Sequence, residues 1–355
     1  MYDPPSLEEY FATAARVSEE RPVLIDRFLE DAYEVDVDAI SDGERVVIGG
    51  VMQHIEDAGI HSGDSACVLP PYLIGEKDLQ TMRDQTVAMA KAFNVVGLIN
   101  VQFAIKGGVV YVLEVNPRAS RTIPFVSKAI GVPLASHAAR VMCGETLEQI
   151  GFTEEIVPPF VSVKEAVFPF SKFAGTDPIL GPEMRSTGEV MGISDSFGSA
   201  FAKAQLGAGN GLPLSGSILI TVNDADKPNV TPIARRFHEM GFTLYATGGT
   251  SRYLRARGIP VTRVFKVHEG RPHCLDMIVN GDVQLLVNTP LGKHAQRDDY
   301  TMRQAAIRHH VAYTTTLSAA SAASDAILSL RSRRPSVRSL QEWQQDIFVG
   351  AEGER

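Results

Sequence analysis

The residues best placed to do chemistry in this chain lie on one short stretch. It reads Asn100-Val101-Gln102-Phe103-Ala104-Ile105, then Lys106-Gly107-Gly108, then Val109-Val110-Tyr111-Val112-Leu113-Glu114-Val115-Asn116. Two apolar runs around a glycine-containing loop predict a β-hairpin, with a glycine supplying the left-handed backbone of the turn. A three-residue loop over Lys106–Gly108 sets Ile105 opposite Val109, and hence Gln102 opposite Val112 and diagonal to Glu114. Asn116 shares the face of Glu114 because strand side chains alternate, and a slip of one residue would send Gln102 to the other face. Two amide oxygens and a carboxylate are hard ligands, suited to Mg2+ or Mn2+ shared with nucleotide phosphates. Arg118 and Arg121 follow at once and can neutralise a transferring phosphoryl group, which makes them the candidate catalytic residues. Taken singly, Glu114 and Asn116 would be ordinary polar residues on a half-exposed strand. An Asn-Pro-Arg run placed straight after an apolar strand favours the metal reading.

A second chemical signal lies further on. Thr247-Gly248-Gly249-Thr250 falls between a predicted strand and a predicted helix, where free backbone amides and hydroxyls can hold a phosphate. Gly-Gly alone is no more than a turn. Lys227, Lys266 and Asn288 come from neighbouring strand ends, where the ligands of parallel sheets gather.

The elements that must position these groups are legible at low resolution. A capping-box spacing from Ser6 to Glu9 opens a helix over Ser6–Glu20, and Pro22 stops it. Strands are expected at Val23–Phe28 and Tyr33–Ile40, the latter ending in the turn Ser41-Asp42-Gly43. On Tyr33–Ile40, alternation puts Asp36 and Asp38 on the face of Glu34. A helix is expected over Lys77–Phe93, two short helices at Ile123–Ile130 and Ser136–Cys143, and a Pro-rich stretch over Val157–Pro169. Beyond Gly207-Ala208-Gly209-Asn210-Gly211 short apolar strands (Ser217–Thr221, Thr243–Ala246, Val261–Phe265, Val283–Val287, Val311–Tyr313) alternate with helices (Lys227–Met240, Thr250–Arg257, His273–Asn280, Tyr300–His309, Leu317–Leu330). That order predicts a parallel sheet covered on both faces, a Rossmann-like three-layer α/β/α domain. The fold class is therefore α/β, with an α+β portion over 1–208 and the three-layer domain over 209–355.

Composition narrows the classes. A chain of 355 residues, 44% hydrophobic and 21% charged, can bury two ordinary cores. Its net charge of -8 argues against nucleic acid as a partner. The one dense basic cluster, Arg331, Arg333, Arg334 and Arg338, reads as a solvated linker. Cys67, Cys143 and Cys274 form no CxxC pair, which suits a reducing cytoplasm, and no apolar run is long enough to span a bilayer.

Three separated runs carry a family resemblance: Glu114-Val115-Asn116-Pro117-Arg118-Ala119-Ser120-Arg121-Thr122 with Pro124-Phe125-Val126-Ser127-Lys128-Ala129, His61-Ser62-Gly63-Asp64-Ser65-Ala66, and Gly181-Pro182-Glu183-Met184-Arg185-Ser186-Thr187-Gly188-Glu189-Val190-Met191-Gly192. In their order along the chain they resemble the C-terminal part of carbamoyl-phosphate synthase large subunits, and the likeness weakens only after about Ala323. The resemblance implies the end of a second ATP-grasp unit, which phosphorylates carbamate, followed by a methylglyoxal-synthase-like allosteric domain, within an enzyme of pyrimidine and arginine biosynthesis. It implies Gln102 and Glu114 on metal and nucleotide, Asn116 on metal, and nucleotide contacts at Arg27, Leu29, Glu34, Gly59, Ile60, His61 and Ser62, with K+ as a further cation. Glu34 would accept ribose hydroxyls, and the Leu29 amide would read adenine. In the second domain Lys227, Thr247, Thr250, Lys266 and Asn288 match the family's site for UMP or IMP, although Pro290 stands where the family often has a hydroxyl. Glu56, Asp64, Glu165 and Thr315 match an ornithine site. The methylglyoxal synthases' catalytic aspartate is missing from His268-Glu269-Gly270-Arg271-Pro272-His273, so this domain is expected to bind without catalysis. The resemblance also implies a glutaminase small subunit, the remainder of the large subunit and oligomeric assembly. By the resemblance, the chain begins at Met1-Tyr2-Asp3 inside the family's mobile phosphate-covering lobe and lacks most of the nucleotide clamp, so the chain alone is expected to be inactive. A non-catalytic regulatory fragment is the alternative. Another ATP-grasp ligase, a biotin carboxylase relative, is disfavoured by the second and third runs.

Overall fold

The computed structural model describes residues 4, 7, 8, 10–12, 25–30, 32–172, 175–289 and 293–352. Of the helix expected over Ser6–Glu20, residues 7, 8 and 10–12 are helical and the rest lies outside the described residues. Of the strand expected at Val23–Phe28, residues 23 and 24 lie outside the described residues, and residues 25–28 are irregular and exposed.

The first sheet is built from β1 (Tyr33–Asp42), β2 (Val46–His54), β3 (Cys67–Leu69), β4 (Val96–Lys106), β5 (Val109–Asn116), β6 (Val161–Val167) and β7 (Gly188–Ser194). Their order is β5-β4-β1-β2-β3-β6-β7, antiparallel throughout. Alternation along β1 sends Val35, Val37 and Ala39 into a core with Ile99, Val101, Phe103 and Met82 of α1 (Glu76–Ala92). The opposite face carries Glu34, Asp36 and Asp38, and it is not an open acidic edge. The three side chains are 4%, 1% and 0% exposed. Helices α2 (Ile123–Ile130) and α3 (Leu134–Met142) and the short α4 (Leu147–Ile150) pack on this side through Phe125, Val126, Leu134 and Leu147. The stretch expected to be merely Pro-rich contains β6, whose Val163 is fully buried, and the chain continues into β7 and α5 (Phe197–Gly207).

The second sheet runs β10 (Thr262–Val264), β9 (Thr243–Thr247), β8 (Ser217–Val222), β11 (Leu285–Thr289), β12 (Ala312–Thr314), all parallel. β8 reads Ser-Ile-Leu-Ile-Thr-Val, the continuous apolar run of a strand covered on both faces. One cover is α6 (Lys227–Glu239), α7 (Gly248–Arg255) and α10 (Leu317–Ser332), through Ile233, Phe237, Leu254 and Ile327. The other is α8 (Cys274–Val279) and α9 (Lys293–Arg308), through Ile278, Met302 and Ala306. This is the expected three-layer arrangement.

A seam of small residues joins the two sheets: Ala200 and Ala204 of α5 meet Ala322 and Ala326 of α10. The basic run is not simply a solvated linker, for Arg331 Nε donates to the Leu214 carbonyl at 2.8 Å and Arg338 lies 4.1 Å from the Trp343 ring while pairing with Asp346 at 2.8 Å. Trp343 lies in the first turn of a final helix, α11 (Leu340–Glu352), and packs edge-on against Phe160. Among the described residues no helix is long and apolar enough to cross a membrane.

Candidate functional site

The β4–β5 hairpin brings the predicted metal ligands together by a different register. Its loop is only Gly107-Gly108, at φ 60° and 74°, so Lys106 faces Val109 and Ile105 faces Val110. Two consecutive left-handed residues make the tight turn that matches strand twist, which two glycines adopt without strain. Unbroken, that register would put Glu114 on the wrong face from Gln102. A bulge between Gln102 and Phe103, with Leu113 as the extra residue, restores it. Gln102 then pairs directly with Glu114, and Asn100 with Asn116. The next strand continues both rows, with Asp36 beside Gln102 and Asp38 beside Asn100.

Glu114 is exposed, while Gln102 and Asn116 are half-buried. The Gln102 amide nitrogen donates to Ser62 Oγ at 3.4 Å, which leaves its oxygen for a cation. Asn116 Oδ1 accepts from the exposed Arg118 guanidinium at 2.9 Å, so Arg118 must release it for the amide to serve as a ligand. Arg121 is exposed nearby. The loop after Asn116 is held from below by Asp38. Its carboxylate accepts from Asn100 Nδ2 at 2.9 Å, Ser120 Oγ at 2.8 Å and Thr122 Oγ1 at 2.6 Å. Burial nevertheless raises the Asp38 pKa to about 6, against the lowering effect of those donors.

The nucleotide contacts expected upstream are partly assembled. His61 and Ser62 lie beside the hairpin in a loop shaped by Lys164, whose buried ammonium donates to the carbonyls of Ser62 at 2.9 Å and Ser65 at 2.7 Å. His61 Nδ1 accepts from the Gly63 amide at 3.0 Å, a structural bond rather than a catalytic pose. Gly59 and Ile60 precede the loop, and Arg27 and Leu29 lie on the irregular segment, Arg27 exposed and Leu29 half-buried. Glu34 points inward: Oε2 accepts from the Gly59 amide at 3.1 Å and Oε1 lies 3.8 Å from His54. Burial raises its carboxyl above the usual range. Asp36 stands 3.5 Å from the other His54 nitrogen. Both Asp36 oxygens and both His54 nitrogens lack a hydrogen-bond partner, and the ligand atoms of Glu34, Asp36 and His54 lie within 4.8 Å of one another. Sequence reading missed His54 and Lys164; each stands among apolar strand residues at the very end or middle of a run, the signal that could have marked them.

The second expected phosphate site is a cluster at the strand ends. Thr247 Oγ1 donates to Thr221 Oγ1 at 3.1 Å, and Thr250 Oγ1 donates to the Val222 carbonyl at 3.4 Å. The Lys227 ammonium lies 3.0 Å from where a Cβ on Gly249 would stand, and it pairs with Asp224. Lys266 is half-buried, its amide bound to Glu269 at 3.0 Å. Asn288 is 1% exposed and donates to the Thr221 carbonyl at 3.4 Å. Pro290 lies outside the described residues.

Glu56, Glu165 and Thr315 line a cavity of about 430 Å3 between the two sheets, with Gln205, Asn210 and Tyr313. Asp64 does not line it; its carboxylate accepts from the amides of Arg185 at 2.7 Å and Ser186 at 2.9 Å. Burial pushes Glu56 up to about 7, and burial plus the Glu56 charge pushes Glu165 well above its ordinary value. Folding therefore binds protons at both, so this pair stabilises the fold most below pH 4.5 and the stability is lost as pH rises through about 7. The thermal midpoint should fall by ~3–6 °C between pH 6 and pH 8. Thermal scans of the native chain and Glu165→Gln at both pH values check this; an equal drop in the two proteins would refute the assignment.

Comparison with known proteins adds a further finding. Residues 1–150 match the family described as carbamoyl-phosphate synthase L chain, ATP binding domain, and residues 229–315 match the MGS-like domain. The carbamoyl phosphate synthase large chain of Gemmatimonas aurantiaca is 66% identical over 343 residues, covering 97% of this chain and 31% of that protein. That of Archaeoglobus fulgidus is 54% identical over 347 residues, covering 98% of this chain and 32% of that protein. The chain thus spans about a third of the length of these relatives. Among solved structures, the biotin carboxylase domain of a single-chain bacterial carboxylase covers 56% of this chain at 16% identity, with a TM-score of 0.43.

Proposed function

Because the chain belongs to the carbamoyl-phosphate synthase large chain family, matching the C-terminal portion of its members, we propose that it carries the metal-binding half of a carbamate-phosphorylating ATP-grasp site together with a nucleotide-responsive regulatory domain. The observation that carries this reading is the bulged hairpin, which pairs Gln102 with Glu114 and sets Asn116 on the same face.

Gln102, Glu114 and Asn116 would hold Mg2+ or Mn2+; their hard oxygen donors fit it, and when bound it offsets charge on the β- and γ-phosphates. A carbamate oxygen forms a bond to the γ-phosphorus while the bond to the bridging oxygen breaks, giving carbamoyl phosphate and ADP. Arg118, released from Asn116, is placed to meet the phosphoryl oxygens, and Asp38 fixes the loop through Ser120 and Thr122. K+ is a further cation that the family resemblance implies, whereas the buried Glu34–Asp36–His54 group is already an imidazole held between two carboxylates, with the His54 pKa raised well above its ordinary value. Lys227, Thr247, Thr250, Lys266 and Asn288 would take a nucleoside monophosphate, and the Glu56–Glu165 cavity a cationic amino acid such as ornithine. A glutaminase small subunit supplying ammonia, the rest of a large subunit and oligomeric assembly belong to the same reading.

The test is a titration of Mn2+ followed by electron paramagnetic resonance. Adding the chain with ADP should remove most of the free-ion signal, and ADP alone should remove less. An identical signal with and without the chain would refute the reading.

A further inference from the structure

Arg303 of α9 is the largest fully buried side chain in the described structure. Its guanidinium donates through Nε and one terminal nitrogen to both oxygens of Asp177, at 2.9 and 2.7 Å, and through the other terminal nitrogen to Asn288 Oδ1 at 2.8 Å. A buried guanidinium needs such bonds, and removing one acceptor leaves a charge uncompensated. Asn288 stands in the effector cluster at the end of β11, whereas Asp177 lies on the segment linking β6 to β7 of the other sheet. Neighbouring turns of α9 hold the same segment, Tyr300 donating to the Gly175 carbonyl at 2.7 Å and Gln304 to that of Thr176.

From Asp177 the bonds run on. Its carbonyl accepts from the Arg185 guanidinium at 2.7 Å. The amides of Arg185 and Ser186 grip Asp64, Ser186 Oγ donates to the Gly63 carbonyl at 3.2 Å, and the His61 amide donates to the Gly181 carbonyl at 2.9 Å. His61 and Ser62 are the loop beside the hairpin, and Ser62 Oγ accepts from Gln102. Hydrogen bonds, joined by the short backbone stretches that carry them, therefore connect an effector-site amide to a metal-site amide across both sheets.

We propose that Arg303 is the positioning residue that couples nucleotide occupancy at Asn288 to the 61–65 loop, by setting where Asp177 and its segment sit. This rests on the reading of Asn288 as an effector contact. A nucleotide that draws on the Asn288 side chain changes what Arg303 can hold, and the Asp177 segment follows because it has no sheet pairing of its own between residues 175 and 187. Coupling of this kind is reciprocal, so metal and nucleotide at the hairpin would alter effector affinity by the same factor.

The experiment uses the full chain with UMP as probe. Calorimetry measures UMP binding, and amide hydrogen exchange reads residues 61–66 and 177–187. In the native chain UMP should slow exchange at Asp64, Arg185 and Ser186 by about threefold or more, the span of ordinary coupling. Asp177→Asn should keep UMP affinity within about threefold yet lose that response, and Arg303→Lys, which keeps the charge but not the fork, should lose it too. Asn at position 177 keeps an acceptor oxygen for the buried guanidinium, and a thermal scan of each variant checks that it is folded before exchange is read. No binding of UMP by the native chain would remove the effector reading and the proposal with it. Binding with no change in exchange, or the same change in both variants, would overturn the coupling alone.

Discussion

Glu114→Ala should cost the chain at least ~10-fold in its affinity for Mn2+ in the presence of ADP, the range that even an outer partner of a metal ligand commands. Glu114 is the only formal charge among the three hairpin ligands, and Gln102 and Asn116 offer neutral amide oxygens that hold a dication weakly on their own. The substitution should leave the fold alone. Glu114 is exposed on β5, an edge strand, and surface changes of this kind usually shift stability by no more than about 0.5 kcal/mol. Glu114→Gln keeps the shape and removes the charge, so it should lose nearly as much. Mn2+ titrations with a thermal scan of each protein separate the two effects. Unchanged affinity in both variants would place the cation elsewhere.

The largest structural effect is expected at Gly192. A Cβ built there would lie 2.1 Å from the Ala200 carbonyl oxygen, 2.5 Å from the Ala204 nitrogen and 3.0 Å from Lys203 Cβ. Two of these are backbone atoms of α5, so no rotamer change can relieve them; β7 and α5 would have to part. That opens the alanine seam that carries α5 onto α10 and joins the two sheets. Gly192→Ala should lose more than ~3 kcal/mol, enough to leave little soluble protein, because overpacking costs reach that range even when side chains can yield. Gly188→Ala is the control: it lies on the same strand with nothing within 4 Å of the added carbon. Urea denaturation of the two variants decides the matter, and similar midpoints would contradict the close packing of β7 on α5.

Much of the second sheet was legible because its strands are apolar throughout and its helices amphipathic, so the two periods could not be confused. The metal hairpin was legible in its residue types and not in its register. Lys106-Gly107-Gly108 reads equally as a loop of three or of two, and no local pattern announces that Leu113 bulges to bring Glu114 back opposite Gln102. Alternation placed Glu34, Asp36 and Asp38 on one face, but burial of that face depends on α2 and α3, which arrive some eighty residues later in the chain. The expected ornithine group shows the same limit. Glu56, Glu165 and Thr315 meet in one cavity, while Asp64, of equal chemical promise, is occupied in holding the amides of Arg185 and Ser186. Arg303 gave no signal at all, since its partners are Asp177, on the irregular segment between β6 and β7, and Asn288, on a strand of the other sheet, and a helical arginine looks like a solvated one until its neighbours are known.

The bulged β4–β5 face is where the divalent cation is expected to bind. Crystals grown with ADP and Mn2+ and measured for manganese anomalous scattering test it most directly. A peak is expected within ligand distance of the Gln102, Glu114 and Asn116 oxygens, with the Arg118 guanidinium displaced from Asn116 Oδ1. A manganese peak in the Glu34–Asp36–His54 group, with the hairpin face empty and Arg118 still bound to Asn116, would contradict it.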